Sequence, residues 1–381
     1  TDVAKMRPEI YKGVKDDVKT YVDKFGYEKD EALETVSTQF IELFEKTIAF
    51  TIFVFITAEN VFANNQKNNF KGNKLKGNKK MKKLFVTLFL SMAVCAGANA
   101  QLLYKISGKN LEKPSYIIGT HHLANVGFVQ KISEVKTALT ETDQVYGELV
   151  MSDMQNADSV KVMQQYTQLP AGKTIKDVLT PAQFKEVDAC LKELMSVGFS
   201  SKEVMQSMGQ LAPQALLVQL TLVTFMTNHM GEFDPSSTFD QYFQAQAKKN
   251  NEPVGGLETI SQQAKLLYDV PMKRQVEQLM CFVRNRDYNA KVMDELTDAF
   301  YAQDLVAMKK ASDEKLGNSC DATPEETAAM IENRNKAWME KMPAIMADKP
   351  TFFAVGALHL VGENGLLQLL KNAGYTVEGL K

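Results

Sequence analysis

Ile117-Ile118-Gly119-Thr120-His121-His122 and Ala354-Val355-Gly356-Ala357-Leu358-His359 follow one pattern, an apolar run entering Gly-x-x-His. The histidines that close the two copies, His122 and His359, are two of only four in the chain. An apolar run of this length reads as a buried strand, and Gly119 or Gly356 permits a sharp turn where it ends. Each His then projects into the crevice beyond the strand ends, where open α/β sheets bind ligands. One Gly-x-x-His is common by chance, whereas two in the same context are not. The alternative is that both are structural strand-end histidines.

Outward from these motifs, Leu102 to Ile106 and Tyr116 to Gly119 read as a hairpin across the polar turn Gly108 to Pro114. A second short strand is expected over Gln144 to Val150. Residues 153–320 are expected to be mostly helical, with breaks at Pro170-Ala171-Gly172, Pro181, Pro213, Asp234-Pro235-Ser236-Ser237 and Pro271. Leu216 to Met230 is apolar but shorter than a membrane span, so it reads as a buried helix. Pro253 to Leu257 reads as a strand and turn feeding a helix near Glu258. A long helix carrying Arg334 precedes a strand over Thr351 to Val355. Gly362 and Gly365 mark a tight turn before a helix over Leu366 to Asn372 and a last strand over Tyr375 to Val377. The predicted class is α/β, a central mixed β-sheet with a strand-end active site and a large helical insertion or lid.

The 381 residues are 45% hydrophobic and 24% charged, enough to bury a sizeable core. Residues 1–100 hold 16 Lys+Arg and 12 Asp+Glu, leaving 28 against 34 downstream, a net charge of −6. That balance, without a basic stripe, argues against nucleic-acid binding. Met81 opens a signal-peptide pattern, with Lys82 and Lys83, an apolar run from Leu84 to Ala96, and Ala98-Asn99-Ala100 as cleavage site. A periplasmic or secreted protein beginning near Gln101, with no stable membrane span in its mature form, is the expectation. Residues 1–80 are expected to be an upstream extension or fused segment, helical at first, then an apolar run and a Lys/Asn-rich linker, with a membrane-tethered module as the alternative. Beyond the signal, Cys190, Cys281 and Cys320 allow one disulfide and one free thiol, and Cys281–Cys320 is one such pairing. No zinc-type Cys spacing occurs.

Glu148 ends the second strand and can project into the same crevice as the two histidines. Two His and one carboxylate resemble the ligand set of catalytic zinc or manganese hydrolases, with Glu148 as ligand or general base. His121 either supports its neighbour or points away. His229, in an apolar helix, reads as a satisfied core or surface histidine. No serine nucleophile elbow, P-loop or dinucleotide fingerprint occurs.

The paired motifs with an intervening strand-borne Glu resemble the TraB/GumN family, which includes the Tiki-type metalloproteases. Gly256-Leu257-Glu258-Thr259 with Gln262, Arg334-Asn335, and His359-Leu360-Val361-Gly362-Glu363-Asn364-Gly365-Leu366-Leu367 with Gly374-Tyr375 add to the likeness over residues 102–380. The resemblance implies one TraB/GumN-like domain over 101–381, with His122, Glu148 and His359 gathered around Mn²⁺ or a related ion such as Co²⁺ or Zn²⁺. Arg334 is then either an oxyanion stabiliser or the ion-pair partner of a buried carboxylate. Glu258, Gln262 and Asn335 are candidate pocket residues, though Glu258 also suits a helix N-terminus. The implied activity is a metal-dependent hydrolase acting on peptides or proteins. The alternative is a non-catalytic ligand-binding protein similar to the ChaN-like proteins, with haem as its ligand.

Overall fold

The computed structural model describes residues 101–229 and 237–380. The extension over 1–80, the signal peptide over 81–100 and the break at Asp234-Pro235-Ser236 lie outside the described residues.

Six strands make one mixed sheet in the order β4-β3-β5-β2-β1-β6. They are β1 Leu103–Ser107, β2 Ser115–Thr120, β3 Gln144–Gly147, β4 Val254–Gly256, β5 Thr351–Gly356 and β6 Thr376–Gly379. β1 and β2 form the expected hairpin, with Leu103 opposite Ile118, and β6 adds antiparallel to β1. β2, β5, β3 and β4 run parallel, with Gly119 beside Val355 and Gly147 beside both Ala354 and Gly256. Parallel strands covered on both faces need apolar residues without alternation. That is why Tyr116-Ile117-Ile118 and Phe352-Phe353-Ala354-Val355 are wholly buried at the sheet centre. Four parallel strands also end on the same edge, so the segments after them must meet there.

β3 ends at Gly147, three residues before the expected Val150. The cause is Gln244, whose side-chain amide donates to the Leu149 carbonyl at 2.7 Å and accepts from the Met151 N–H at 2.9 Å. A side chain thereby satisfies backbone groups that a longer ladder would have used.

The helical insertion lies between β3 and β4, and further helices separate β4 from β5. α1 (Pro181–Met195), α2 (Pro213–Asn228) and α3 (Phe239–Lys249) belong to the first set. α4 (Ile260–Tyr268) and α5 (Met272–Arg284) belong to the second. Pro181 and Pro213 fall in the first turns of their helices, where a missing N–H costs nothing. α1, α2 and α5 share a core around Leu191, Leu216, Leu220, Val223 and Leu279, distinct from the core on the sheet. α2 is the apolar helix read at Leu216, and His229 caps its end. Among the described residues no helix is long and apolar enough to cross a membrane. α3 packs across β3, β5 and β4, directing Phe239 and Phe243 into the sheet core.

The helix carrying Arg334 runs from Pro324 and contains one wide π turn over Ala328–Glu332 before α6 (Asn333–Met339). Cys281 and Cys320 are disulfide-bonded, and Cys190 is a buried free thiol in the helical core. Beside the disulfide, Arg274 donates to Glu326 and to the carbonyls of Ser319 and Asp321. The loop leading to the Arg334 helix is thus fastened to α5. Gly362 adopts a φ of +96°, and Gly365 caps α7 (Leu366–Asn372), as the tight turn required.

A candidate active site at the ends of four parallel strands

β2 delivers His121 and His122 to the common edge, β3 delivers Glu148, β4 delivers Glu258 two residues on, and β5 delivers His359. The motif glycines serve a purpose other than the expected sharp turn. Neither Gly119 nor Gly356 has a positive φ. A Cβ on Gly119 would stand 2.9 Å from both Cα and Cβ of Ala357, and one on Gly356 would stand 3.2 Å from Glu148 Oε1. Glycine is required because the two motifs pack against each other and against the carboxylate.

Arg334 is the hub of the site. Its Nη2 donates to Glu148 Oε2 and, at 2.5 Å, to Glu258 Oε1, while Nε donates to Glu258 Oε2 at 3.1 Å. Nη1 donates to His359 Nε2 at 2.9 Å, and the guanidinium carbon lies 4.7 Å from the centre of the Trp338 ring. In this arrangement Arg334 is ion-paired with two buried carboxylates. Glu148 Oε1 also accepts from the Gly356 N–H at 2.9 Å. Burial alone would raise the Glu148 pKa; the Arg334 charge, with lesser help from the histidines and the Gly356 N–H, outweighs it and holds the carboxyl at about 2.

His359 is fixed in one tautomer. Its Nδ1–H donates to Asn335 Oδ1 at 2.7 Å, leaving the Nε2 lone pair toward Arg334. Asn335 is oriented in turn by donating to the carbonyls of His359 and Asn364 at 3.1 and 2.8 Å. Burial chiefly lowers the His359 pKa, to about 4, so the imidazole is neutral at neutral pH. His122 is held the opposite way. Its Nδ1 lies 3.0 Å from Asp240 Oδ2, and that hydrogen bond and charge raise its pKa to about 9. The His122 side chain is 68% exposed, so solvent screens the effect, but its direction toward imidazolium follows from the bond. His122, Glu148, Arg334 and His359 lie near enough for their charges to act on one another.

His121 turns away from the cluster, between the rings of Phe225 and Phe300, and burial lowers its pKa to about 4. Glu258 is a wall of the site. Gln262, a candidate pocket residue, instead closes a capping box with Thr259, accepting from the Thr259 N–H at 2.8 Å. Its neighbour Gln263, which the sequence reading passed over, donates to Glu258 at 2.9 Å and Glu148 at 3.4 Å. Asp240 was also passed over. It stands beside Phe239 on α3 and, with Gln244, forms a buried polar pair at i, i+4 next to the apolar stripe. A carboxylate on a helix face otherwise given to Phe was the signal available.

The donor types His122, Glu148 and His359 suit a divalent ion, but their arrangement does not accept one as it stands. Among the described residues no group of three or more His, Cys, Asp or Glu is placed to hold a metal. The His359 lone pair and Glu148 Oε2 are both engaged by Arg334. A haem iron seeking the same His359 nitrogen meets the same obstacle.

The chain thus combines a mixed α/β sheet with paired Gly-x-x-His loops and a carboxylate-arginine cluster at its strand ends. The profile of the TraB/PrgY/gumN family matches residues 102–379, and the chain belongs to that family. It is similar to the Metalloprotease TIKI homolog of Nematostella vectensis, at 24% identity covering 70% of this chain and 65% of that protein. It is also similar to Metalloprotease TIKI1 of Danio rerio, at 22% identity covering 70% and 61%. The chain therefore spans less than two thirds of the length of these curated relatives. No solved structure matches it.

Proposed function

We propose that this chain is a metalloprotease-like hydrolase that cleaves peptide bonds of protein substrates, in the periplasm or outside the cell once residues 81–100 have been removed as a signal peptide. Similarity to two proteins named metalloproteases supports the reaction class. The observation that carries the reading is the pair of histidines at one strand-end crevice, one bonded to the Asp240 carboxylate and the other to the neutral Asn335 amide. Groups whose surroundings drive their pKa values apart are suited to act as acid and base.

In this reading the neutral His359 accepts a proton from the attacking water through Nε2, with Asn335 holding its tautomer. Arg334 turns its Nη1–H from His359 to the scissile carbonyl oxygen and carries the positive charge that faces the oxyanion. The His122 imidazolium returns a proton to the leaving amine. Glu148 and Glu258 keep the guanidinium in the site. No step is assigned to a metal ion, because the donors are not arranged for one.

The test is cleavage of unfolded casein and of a quenched peptide library by the purified chain, with and without Mn²⁺. Wild-type protein is expected to cleave, and His122→Ala and His359→Ala each to lose about 100-fold or more, within the range for removal of an acid or base. No cleavage by wild type under either condition, or both variants matching it, defeats the proposal. N-terminal sequencing of the exported protein should read from Gln101.

A further inference from the structure

We propose that the free edge of β4 is a substrate-binding site, where an extended stretch of polypeptide adds to the sheet as a seventh strand before its chain crosses to the strand-end cluster. The inference rests on the hydrolase reading and deepens it by naming the form in which a protein substrate is held.

The first observation is a set of unpaired backbone groups. β4 is the outermost strand on its side of the sheet and pairs with β3 alone. The Val145 N–H donates to the Pro253 carbonyl at 3.0 Å, and the Leu257 N–H donates to the Gly147 carbonyl at 2.9 Å. Backbone groups alternate in direction along a strand, so Pro253, Gly255 and Leu257 face β3 whereas Val254 and Gly256 face away. Among the described residues nothing pairs with the N–H or the carbonyl of either. Two donors and two acceptors therefore stand at the edge, on residues roughly 6.6 Å apart. That spacing is the repeat of an extended peptide, and such a chain meets all of these groups at once.

The second is that the edge is open. Val254, Gly255 and Gly256 are all partly exposed. Both glycines are set by crowding on the faces of the sheet. A Cβ on Gly255 would fall 2.3 Å from the Tyr146 ring, and one on Gly256 would fall 3.0 Å from the Glu258 carbonyl oxygen. The consequence is an edge with no side chain of its own beyond Val254, the kind of place where a second backbone comes close. Exposed edges are commonly guarded by charge or proline, and Val254 to Gly256 carry neither. At three residues the strand is too short to seed an open-ended sheet, yet long enough for one extended segment.

The third is direction. β4 runs straight into the site. Two residues past its end Glu258 forks Arg334, and the Glu258 N–H donates to the Glu148 carbonyl at 2.9 Å. An added strand lies three strand spacings from β5, roughly 14 Å. At ~3.3 Å per residue, about four residues carry the chain from the edge to His359. The edge thus holds backbone several residues from the scissile bond. The substrate it selects is an unfolded or extended segment of about eight residues or more, not a dipeptide or a folded surface.

The sequence supplies a reporter. Gly255-Gly256 is the only Gly-Gly pair in the chain, so glycine labelled with ¹³C at the carbonyl and with ¹⁵N gives the Gly256 amide a unique carbonyl-coupled NMR signal. The full chain carrying His359→Ala, expected to bind substrate without cleaving it, is titrated with unfolded casein. The Gly256 amide is expected to move downfield and to exchange with solvent about tenfold or more slowly. Val254→Pro removes the other outward N–H at the first position of the strand, where proline is tolerated, and should weaken casein binding about fivefold, as for one lost hydrogen bond. If that variant does not fold, the Gly256 signal decides alone.

Casein that binds, or is cleaved by wild type, while the Gly256 amide stays unmoved overturns the inference and leaves the hydrolase reading intact. A Gly256 amide already protected before casein is added shows the edge occupied by a second copy or by the chain itself, and overturns it too. Absence of casein binding does the same. Protection of Gly256 by casein without cleavage by wild type supports the edge and defeats the hydrolase reading.

Discussion

Asp240 and His122, 118 residues apart in sequence, meet at 3.0 Å beside the strand-end cluster. The carboxylate comes from the helical insertion and the imidazole from the loop after β2, so the insertion supplies part of the site's charge pattern. Thr120 Oγ1 donates to the other Asp240 oxygen at 3.4 Å, tying the same helix to the end of β2.

This contact sets the pH behaviour. His122 is raised to about 9 by Asp240, from an ordinary value near ~6.5. The stabilisation from the pair is therefore complete below pH ~6.5 and lost as pH rises through about 9. If the imidazolium is the acid, cleavage should fall on the same alkaline side. Asp240→Asn should move that fall downward toward ~6.5, checked by the pH-rate profile and by NMR titration of His122. The stability change should stay under ~1 kcal/mol, since the ring is largely exposed.

Arg334→Ala should destabilise the fold by ~3–5 kcal/mol at neutral pH, because two buried carboxylates lose their partner. In wild type the depressed Glu148 pKa contributes stability above pH ~4.3, lost as pH falls toward about 2. Without Arg334, burial at Glu148 is opposed only by the histidines and the Gly356 N–H, and the variant should lose less of its stability on acidification. Urea midpoints at pH 7 and pH 2.5 for both proteins check the sign.

Gly119→Ala forces a methyl to within 2.9 Å of the Ala357 backbone. Overpacking of this kind costs ~1–3 kcal/mol, and the segment it pushes carries His359. Thermal unfolding should show the loss, and cleavage should drop more than an equally destabilising change in the helical core, such as Leu220→Val.

Reduction of Cys281–Cys320 should cost about 4 kcal/mol on loop-closure entropy for a separation of 39 residues. Cys190 is buried and should remain unmodified until the protein unfolds. Thiol labelling during urea denaturation, with and without reductant, measures both.

The sheet was legible because parallel central strands need unbroken apolar runs, and Ile117-Ile118 and Phe352-Phe353 supply them. The same strands put His122 and His359 at one edge in the sequence reading. Less local relations were not legible. That Arg334 would hold both Glu148 and His359 depends on a helix docking from far along the chain, which no spacing encodes. Asp240 was hidden for a similar reason, since its partner lies in another element. Gln262 carries a different, local signal. Thr259-Ile260-Ser261-Gln262 is a capping-box sequence, but starting the helix at Glu258 obscured it.

The two separate cores have a consequence for how such proteins can diversify. α1, α2 and α5 pack chiefly on one another, whereas α3 rests on the central strands and bears Asp240. Substitutions that reshape the outer helices reach the sheet's core chiefly through Phe225, which packs on His121. An architecture of this kind can exchange its outer layer between lineages, and with it the surface offered to substrates, while inheriting the chemistry beneath unchanged. The segment that must travel with the chemistry is short: one helical turn around Asp240.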